Sequence, residues 1–166
     1  MAEAETLWPV VSDEVEKRTR ALLERACEQD LTIATAESCT GGMVASLLTD
    51  VPGASHAFER GFITYSNEAK ADMLDIPIEL IEGKGAVSRE VAVAMAEGAL
   101  ARSGADVAVS ITGFAGVGDE PGLVHFACAR TDRETMHREE HFGDIGRGRI
   151  RVECLRVAVE MLEGMI

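Results

Sequence analysis

Residues 31–49 read LTIATAESCTGGMVASLLT, and this stretch indicates the class of fold. Leu31–Ala36 has the composition of a short strand, and the segment from about Gly42 to Thr49 has that of a helix. Glu37–Gly42 joins them as a turn of small and polar residues. A strand that turns directly into a helix is the building unit of α/β proteins.

Helices and strands continue to alternate along the rest of the chain. Predicted helices follow caps at Ser12, at Ser66 or Asn67, and at Ser88, and the last one runs from about Ile145 to Glu163. Predicted strands are Phe58–Tyr65, Asp106–Thr112, Leu123–Arg130 and Thr135–Phe142. Because only a short turn separates the last two strands, we expect them to be antiparallel neighbours. The pattern predicts an α/β fold: a three-layer α/β/α sandwich with a mixed, mostly parallel sheet.

Length and composition favour one domain with one sizeable core. The chain has 166 residues, of which 46% are hydrophobic and 27% charged, which is the balance of an ordinary globular protein. Aromatic residues make up only 4%, so the core has to be built from aliphatic side chains and methionine. No repeat or linker divides the sequence. We therefore predict a single domain over residues 1–166, with Met1–Val11 as a loose arm.

The strong negative charge restricts the partners that the chain can have. The net charge is −13, from 29 acidic and 16 basic residues. A surface with this charge repels nucleic-acid backbones and anionic membranes, so neither is expected as a main partner. A phosphorylated small molecule would need a local cluster of hydrogen-bond donors.

The cysteines and the first residues indicate a compartment. The four cysteines are widely spaced and form no CxxC pair, so no zinc site or other metal is expected, and we predict no cofactor. Met1–Glu5 does not resemble a signal peptide, and no apolar stretch reaches the ~20 residues of a membrane helix. These features predict a cytoplasmic protein with reduced thiols.

Ser38 is the first candidate for chemistry, because it lies in the turn between the first strand and its helix. Such a turn presents unpaired backbone N–H groups that can hold a phosphate or an oxyanion. We predict that the N–H groups of Cys39, Thr40, Gly41 and Gly42 do so. The alternative is that Ser38 or Thr40 only caps the helix. Cys39 ranks second as a nucleophile, because no histidine stands near it in sequence.

Lys70 is the second candidate, in the first turns of the helix that follows the strand ending near Tyr65. The helix dipole disfavours a cation there, and burial would favour loss of its proton. A neutral lysine amine can accept a proton from a serine. The alternative is a solvated lysine that pairs with Glu68 or Asp72.

Two further segments are candidates for substrate binding. Thr112 and Gly113 end a predicted central strand, where open α/β sheets place ligands. We expect the Thr112 hydroxyl to donate a hydrogen bond to substrate or to Lys70. The alternative is a turn without a ligand. Arg147 and Arg151 share one helix face and can grip a phosphate. The alternative for the arginines is salt bridges to nearby acidic residues.

Four motifs resemble those of a known family and occur in order over nearly the whole chain, from about Val15 to Leu162. They are Thr35–Gly42 (TAESCTGG), Arg60–Lys70 (RGFITYSNEAK), Gly85–Ser88 (GAVS) and Ser110–Gly116 (SITGFAG). The sequence resembles the CinA C-terminal domain, also called the nicotinamide-nucleotide amidase family.

The resemblance implies a stand-alone α/β/α amidase that hydrolyses nicotinamide mononucleotide to nicotinate mononucleotide and ammonia without a metal. By motif position, Ser38 is the implied nucleophile, Lys70 its base and Tyr65 a helper at the same site. Thr112 and the pair Arg147 and Arg151 are implied substrate contacts. The resemblance also suggests a homo-oligomer, with a dimer as the expected state.

Two departures from the family pattern leave alternatives open. The loop Gly116–Gly122 is shorter than is usual in the family and lacks its lysine. Ile145 stands where the family often has an arginine, and Arg147 is a candidate to fill that place. The alternatives are a nucleotide-binding or regulatory module without turnover, and an amidase for another small carboxamide.

Overall fold

The structure, a computed structural model, describes residues 10–166, and the strands in this part form one five-stranded sheet. They are β1 (Ile33–Glu37), β2 (Phe58–Ile63), β3 (Val107–Gly113), β4 (Leu123–Arg130) and β5 (Arg133–His141). The order across the sheet is β2-β1-β3-β4-β5. β1 is parallel to β2 and β3, whereas β4 is antiparallel to β3 and β5. Of these five strands only β4 runs against the common direction, so the prediction of a mixed, mostly parallel sheet is confirmed.

Helices cover both faces of this sheet. Within residues 10–166 they are α1 (Asp13–Glu28), α2 (Met43–Thr49), α3 (Asn67–Leu74), α4 (Ile78–Lys84), α5 (Arg89–Arg102) and α6 (Arg147–Glu163). α1, α2 and α6 pack together on one face, and α3, α4 and α5 pack on the other. The predicted three-layer α/β/α sandwich is therefore confirmed. In the described part of the chain, no helix has both the length and the apolar run that crossing a membrane requires.

The central strands β1 and β3 are enclosed by both helical layers. Every residue of β1 is buried, and so is β3 up to Thr112. Alternate side chains point to opposite layers: Val109 and Ile111 belong to the core beneath α6, whereas Ala108 belongs to the core beneath α5. The carboxyl ends of β1, β2 and β3 meet at one edge of the sheet, which is where α/β proteins usually bind ligands.

The predicted elements are confirmed with bounds that shift by one or two residues, and two differences between the start of β2 and the start of α5 bear on the site. β2 ends at Ile63 rather than at Tyr65, because Ser66 caps α3 and the backbone has to leave the sheet before it. Pro77 interrupts the helical region as expected, but it also occupies the N-cap of a further helix, α4, which the sequence did not indicate. A proline at a helix start is favourable because it has no N–H to leave unpaired.

Of the predicted loose arm, the structure describes only Val10 and Val11. Residues 1–9 lie outside the described residues. Val10 is exposed, but Val11 is buried in the core, and the Ser12 side chain caps α1. The prediction is thus wrong for Val11, because the hydrophobic residue before the cap packs into the core with Val15.

Helix α5 holds α3 in place through a close backbone contact. A Cβ placed on Gly98 would lie 2.4 Å from the carbonyl oxygen of Leu74. Leu74 is four residues after Lys70, so both lie on the same side of α3. The absence of a side chain at Gly98 therefore sets how closely the lysine-bearing helix can approach α5.

We expect Gly98→Ala to destabilise the protein, although alanine usually favours a helix by up to ~1 kcal/mol over glycine. The added methyl group would force α3 and α5 apart, at a cost of roughly 1–3 kcal/mol. Gly148→Ala is the matched control, because a Cβ at this helical glycine meets no atom within 4 Å. Urea unfolding measures both changes, and a Gly98→Ala protein at least as stable as Gly148→Ala would contradict the expectation.

Candidate active site

The turn Ser38–Gly42 continues directly from β1 and has a shape that needs glycine. The Ser38 N–H donates to the carbonyl of Ile111 at 3.0 Å, which extends the pairing of β1 with β3 by one residue. Gly41 and Gly42 have φ values of +58° and +99°, in the left-handed region that side chains disfavour. A Cβ on Gly42 would also lie 3.0 Å from Cδ1 of Ile63. The turn thereby holds Ser38 at the carboxyl edge of the sheet.

Only part of the predicted N–H cluster is available to a ligand. The Gly41 N–H already donates to the Ser38 carbonyl at 3.1 Å, and the Gly42 N–H donates to the Glu37 carboxylate at 3.1 Å. Within residues 10–166, the N–H groups of Cys39 and Thr40 donate to no other residue. These two are therefore the donors that the turn can offer to an oxyanion.

Lys70 lies beside Ser38, as the proposed pair requires. Its Nζ is 3.1 Å from Ser38 Oγ and donates to the carbonyl oxygen of Thr64 at 2.8 Å. The side chain is buried, with Lys70 1% exposed, so the alternative of a solvated lysine is wrong. Burial lowers the pKa of Lys70 because it penalises the charged form, and negative charge on Cys39 is the smaller influence that acts against this. The amine can therefore be neutral near Ser38.

Cys39 has different surroundings from its neighbour Ser38. It is 6% exposed and belongs to the core that includes Cys154 of α6. The pKa of the Cys39 thiol is lowered by a hydrogen bond from Cys154, whose own pKa is raised by the same contact. The cysteine pair thus lies in the core, while the serine faces the lysine.

Tyr65, Thr112 and Gly113 are placed at the same edge of the sheet, each in a different way. Tyr65 follows β2 and is 67% exposed. The Thr112 hydroxyl donates to the carbonyl of Ala86 at 2.8 Å, rather than to Lys70. Gly113 is the last residue of β3 and is packed against Val124, because a Cβ there would lie 2.6 Å from its Cγ2.

Arg147 and Arg151 begin α6 but are used differently. Arg147 is exposed at the first position of the helix, and Gly116 packs against it. Arg151 donates from Nη2 to the carbonyl of Thr40 at 3.1 Å, and its buried Nε has no partner in the described residues. Within residues 10–166 neither arginine forms a salt bridge, so the salt-bridge alternative is not realised there.

Two groups near the reactive pair were not among the predicted site residues. The Glu37 carboxylate is buried and accepts from the N–H groups of Gly42, Val44 and Ala45. The Thr64 carbonyl holds the lysine amine. A signal for the first was present, since a carboxylate inside a buried strand needs internal donors. A backbone carbonyl carries no comparable signal.

The arrangement has the parts that acyl transfer needs: a serine hydroxyl, an amine that loses its proton readily, and two free N–H groups one and two residues after the serine. Within residues 10–166, no group of three or more His, Cys, Asp or Glu side chains is arranged to hold a metal ion.

Comparison with known proteins assigns the fold and these motifs to one family. Residues 15–166 match the family described as the CinA C-terminal domain. This chain belongs to that family. The chain is 49% identical over 137 residues to the nicotinamide-nucleotide amidohydrolase PncC of Escherichia coli (strain K12), a match that covers 79% of this chain and 82% of PncC.

Other CinA relatives extend the comparison in sequence and in structure. The chain is 45% identical over 140 residues to a CinA-like protein of Geotalea uraniireducens, covering 81% of this chain and 33% of that protein. Across the first curated relatives, it spans between 24% and 43% of their length. The crystal structure of competence/damage inducible protein CihA from Agrobacterium tumefaciens superposes with a TM-score of 0.91 at 42% identity, covering 93% and 97% of the two chains.

The buried amine should give the stability of this CinA domain a measurable pH dependence. Since burial lowers the pKa of Lys70 below its ordinary 10.5, the unfolded chain binds more protons at this residue than the folded chain does between the two pKa values. The contribution of Lys70 to the free energy of unfolding should therefore rise with pH across that interval and level off above the ordinary value.

Urea unfolding of the wild type and of Lys70→Met between about pH 7 and pH 11 measures this contribution as a difference. We expect wild-type stability to increase relative to Lys70→Met as the pH rises. A difference that falls with rising pH would mean that the folded state favours the charged amine.

Proposed function

We propose that this CinA C-terminal domain is an amidohydrolase that converts nicotinamide mononucleotide to nicotinate mononucleotide and ammonia. The likeness to PncC, at 49% identity over 82% of that protein, supports the substrate and the reaction. The observation that carries the mechanism is the 3.1 Å contact between Lys70 Nζ and Ser38 Oγ in a buried site.

The first step is attack by Ser38 on the carboxamide carbon. Neutral Lys70 accepts the hydroxyl proton as the Oγ–C bond forms, and the Thr64 carbonyl, at 2.8 Å, stabilises the resulting ammonium. Burial assists this step because it lowers the pKa of Lys70 and leaves the amine able to accept a proton.

Negative charge develops on the carboxamide oxygen during this step. The N–H groups of Cys39 and Thr40 are the donors assigned to it, since those of Gly41 and Gly42 are already bonded. Donors fixed by the backbone need no reorganisation when the charge appears, and one such donor is typically worth roughly 3 kcal/mol.

Release of ammonia completes the first half of the reaction. The Lys70 ammonium gives its proton to the amide nitrogen, the C–N bond breaks, and ammonia leaves an acyl ester on Ser38. Water then attacks the ester while Lys70 takes a proton from it. The ester bond breaks, Ser38 regains its proton, and nicotinate mononucleotide is released.

Arg147 is the residue that we assign to the phosphate of the nucleotide. It is exposed at the start of α6, where the helix dipole also favours an anion. Arg151 is not assigned this role, because its guanidinium already donates to the Thr40 carbonyl. Of the predicted arginine pair, one member therefore contacts substrate and the other supports the turn. Tyr65, Thr112 and Gly113 stay proposed neighbours of the substrate.

Substitution of the pair tests the mechanism. Ser38→Ala and Lys70→Met should each lower the rate of ammonia release from nicotinamide mononucleotide at least about thousandfold, because the nucleophile or its base is lost. Lys84→Met, at an exposed lysine of α4, is the matched control and should keep the wild-type rate. Cys39→Ala should stay active because its backbone N–H remains. An inactive Cys39→Ala beside an active Ser38→Ala would reject Ser38 as the nucleophile.

The phosphate assignment has its own test. Arg147→Ala should raise KM for nicotinamide mononucleotide roughly tenfold to a hundredfold, as expected for loss of one charge-assisted hydrogen bond. It should leave KM unchanged for nicotinamide riboside, which has no phosphate. Arg149→Ala is the control, since this exposed arginine lines a different groove with Val152. An equal KM increase for both substrates would place the phosphate elsewhere.

A nucleotide-binding module without turnover is the second candidate function. The loop Gly116–Gly122 favours it, because it lacks the lysine of the family pattern and exposes Val117 almost completely. Nicotinamide mononucleotide that raises Tm while no ammonia forms would support this candidate, and a panel of small carboxamides would identify another substrate.

The homodimer and the cytoplasmic location predicted from the sequence remain part of the proposal. Light scattering of the purified chain determines its oligomeric state, and cell fractionation its location.

A further inference from the structure

Glu37 is a buried carboxylate whose charge is balanced by the backbone. It is fully buried at the end of β1, directly before Ser38. Its two oxygens accept from the N–H groups of Gly42 at 3.1 Å, Val44 at 3.0 Å and Ala45 at 2.8 Å. Within residues 10–166 it forms no salt bridge. A buried carboxylate is tolerated only when its hydrogen bonds are made, so these three donors are what keep it there.

The carboxylate replaces a cap that α2 lacks. Gly42 at the N-cap has no side chain, and the first turn of α2 contains no acidic residue. Glu37 reaches across the turn from the preceding strand and supplies both the acceptor and the negative charge. It therefore ties the last residue of β1 to the first turn of α2, and closes the intervening residues into a loop of fixed shape.

A second tether, from helix α6, holds the same loop. Arg151 of α6 donates to the carbonyl of Thr40 at 3.1 Å. Glu37 also contributes its own backbone carbonyl, which accepts from the N–H of Thr64 at 2.8 Å. The residue thus connects the serine turn to the carbonyl that holds the lysine amine.

We infer that Glu37 is a positioning residue for the reaction: through its three hydrogen bonds it orients the N–H groups of Cys39 and Thr40 toward the oxyanion. This inference rests on the proposed function for its substrate but not for its first test below. It also means that the start of α2 is occupied by the chain's own carboxylate, so the phosphate of a nucleotide has to bind elsewhere.

A role of this kind acts on the transition state more than on substrate binding. The carboxamide oxygen gains charge only during attack, so misplaced donors should lower kcat while KM changes little. A merely structural role would lower Tm and the amount of folded protein without separating kcat from KM.

The experiment compares Glu37→Gln with Asp106→Asn. Asp106 also accepts from a backbone N–H, that of Thr32 at 2.8 Å, but before β3 at the opposite edge of the sheet. The first readout is the rate of Ser38 labelling by an alkyl fluorophosphonate, followed by intact mass. In this reaction the Oγ–P bond forms, the P–F bond breaks, fluoride leaves and the Ser38 proton passes to Lys70, while the phosphoryl oxygen takes the place of the oxyanion.

We expect Glu37→Gln to slow labelling and kcat roughly tenfold to a hundredfold, with KM within about threefold, while Asp106→Asn reacts as the wild type does. Wild-type rates in Glu37→Gln, or an equal loss in Asp106→Asn, would overturn the inference. If Glu37→Gln does not fold, Glu37→Asp, which keeps the charge on a shorter chain, is judged by the same criteria.

The labelling readout separates this inference from the proposed function. If the wild type is labelled at Ser38 but releases no ammonia, the proposed substrate is wrong. The ratio of labelling rates between Glu37→Gln and the wild type still decides the role of Glu37. A wild type that is not labelled at Ser38 overturns both.

Discussion

The amine of Lys70, enclosed between Ser38 Oγ and the Thr64 carbonyl, is the contact on which the other features of the site depend. An ammonium group is costly to bury, so the site is stable only if the amine is neutral or its charge is well solvated by fixed dipoles. The fold meets this demand by bringing three elements to one edge. The residue after β1 is the serine, the residue after β2 supplies the carbonyl, and α3 carries the lysine.

Two buried ionisable side chains, Glu37 and Lys70, lie at this edge of the sheet, and the fold keeps their effects apart. A carboxylate against Lys70 would stabilise the ammonium and make it a poor base. Glu37 is instead satisfied by three backbone donors, and it is not among the groups that shift the pKa of Lys70. The acidic side chain serves the backbone of the turn, which leaves the lysine governed by desolvation.

The strand, turn and helix of residues 31–49 could be predicted from local composition, and Ser38 and Lys70 could be singled out from their motifs. The burial of Lys70 could not, because a lysine near Glu68 and Asp72 is equally suited to solvent and only tertiary packing encloses it. Thr112 and Arg151 were predicted to contact substrate, and in the structure they donate to the backbone carbonyls of Ala86 and Thr40. Backbone acceptors far away in sequence leave no trace in residue patterns. Helix α4 was missed for a related reason, since a proline marks both the end of one helix and the start of another.

β2 is an edge strand of the sheet, and this position affects how activity is lost on heating. β2 pairs with β1 on one side and has no neighbour on the other within the described residues. Edge strands fray at a lower free-energy cost than central strands do. Fraying of β2 would carry away the Thr64 carbonyl and loosen the start of α3 while the layers around β3 stay intact. Such a molecule would be inactive yet still folded by most spectroscopic criteria. Inactivation would therefore occur at a lower temperature than global unfolding.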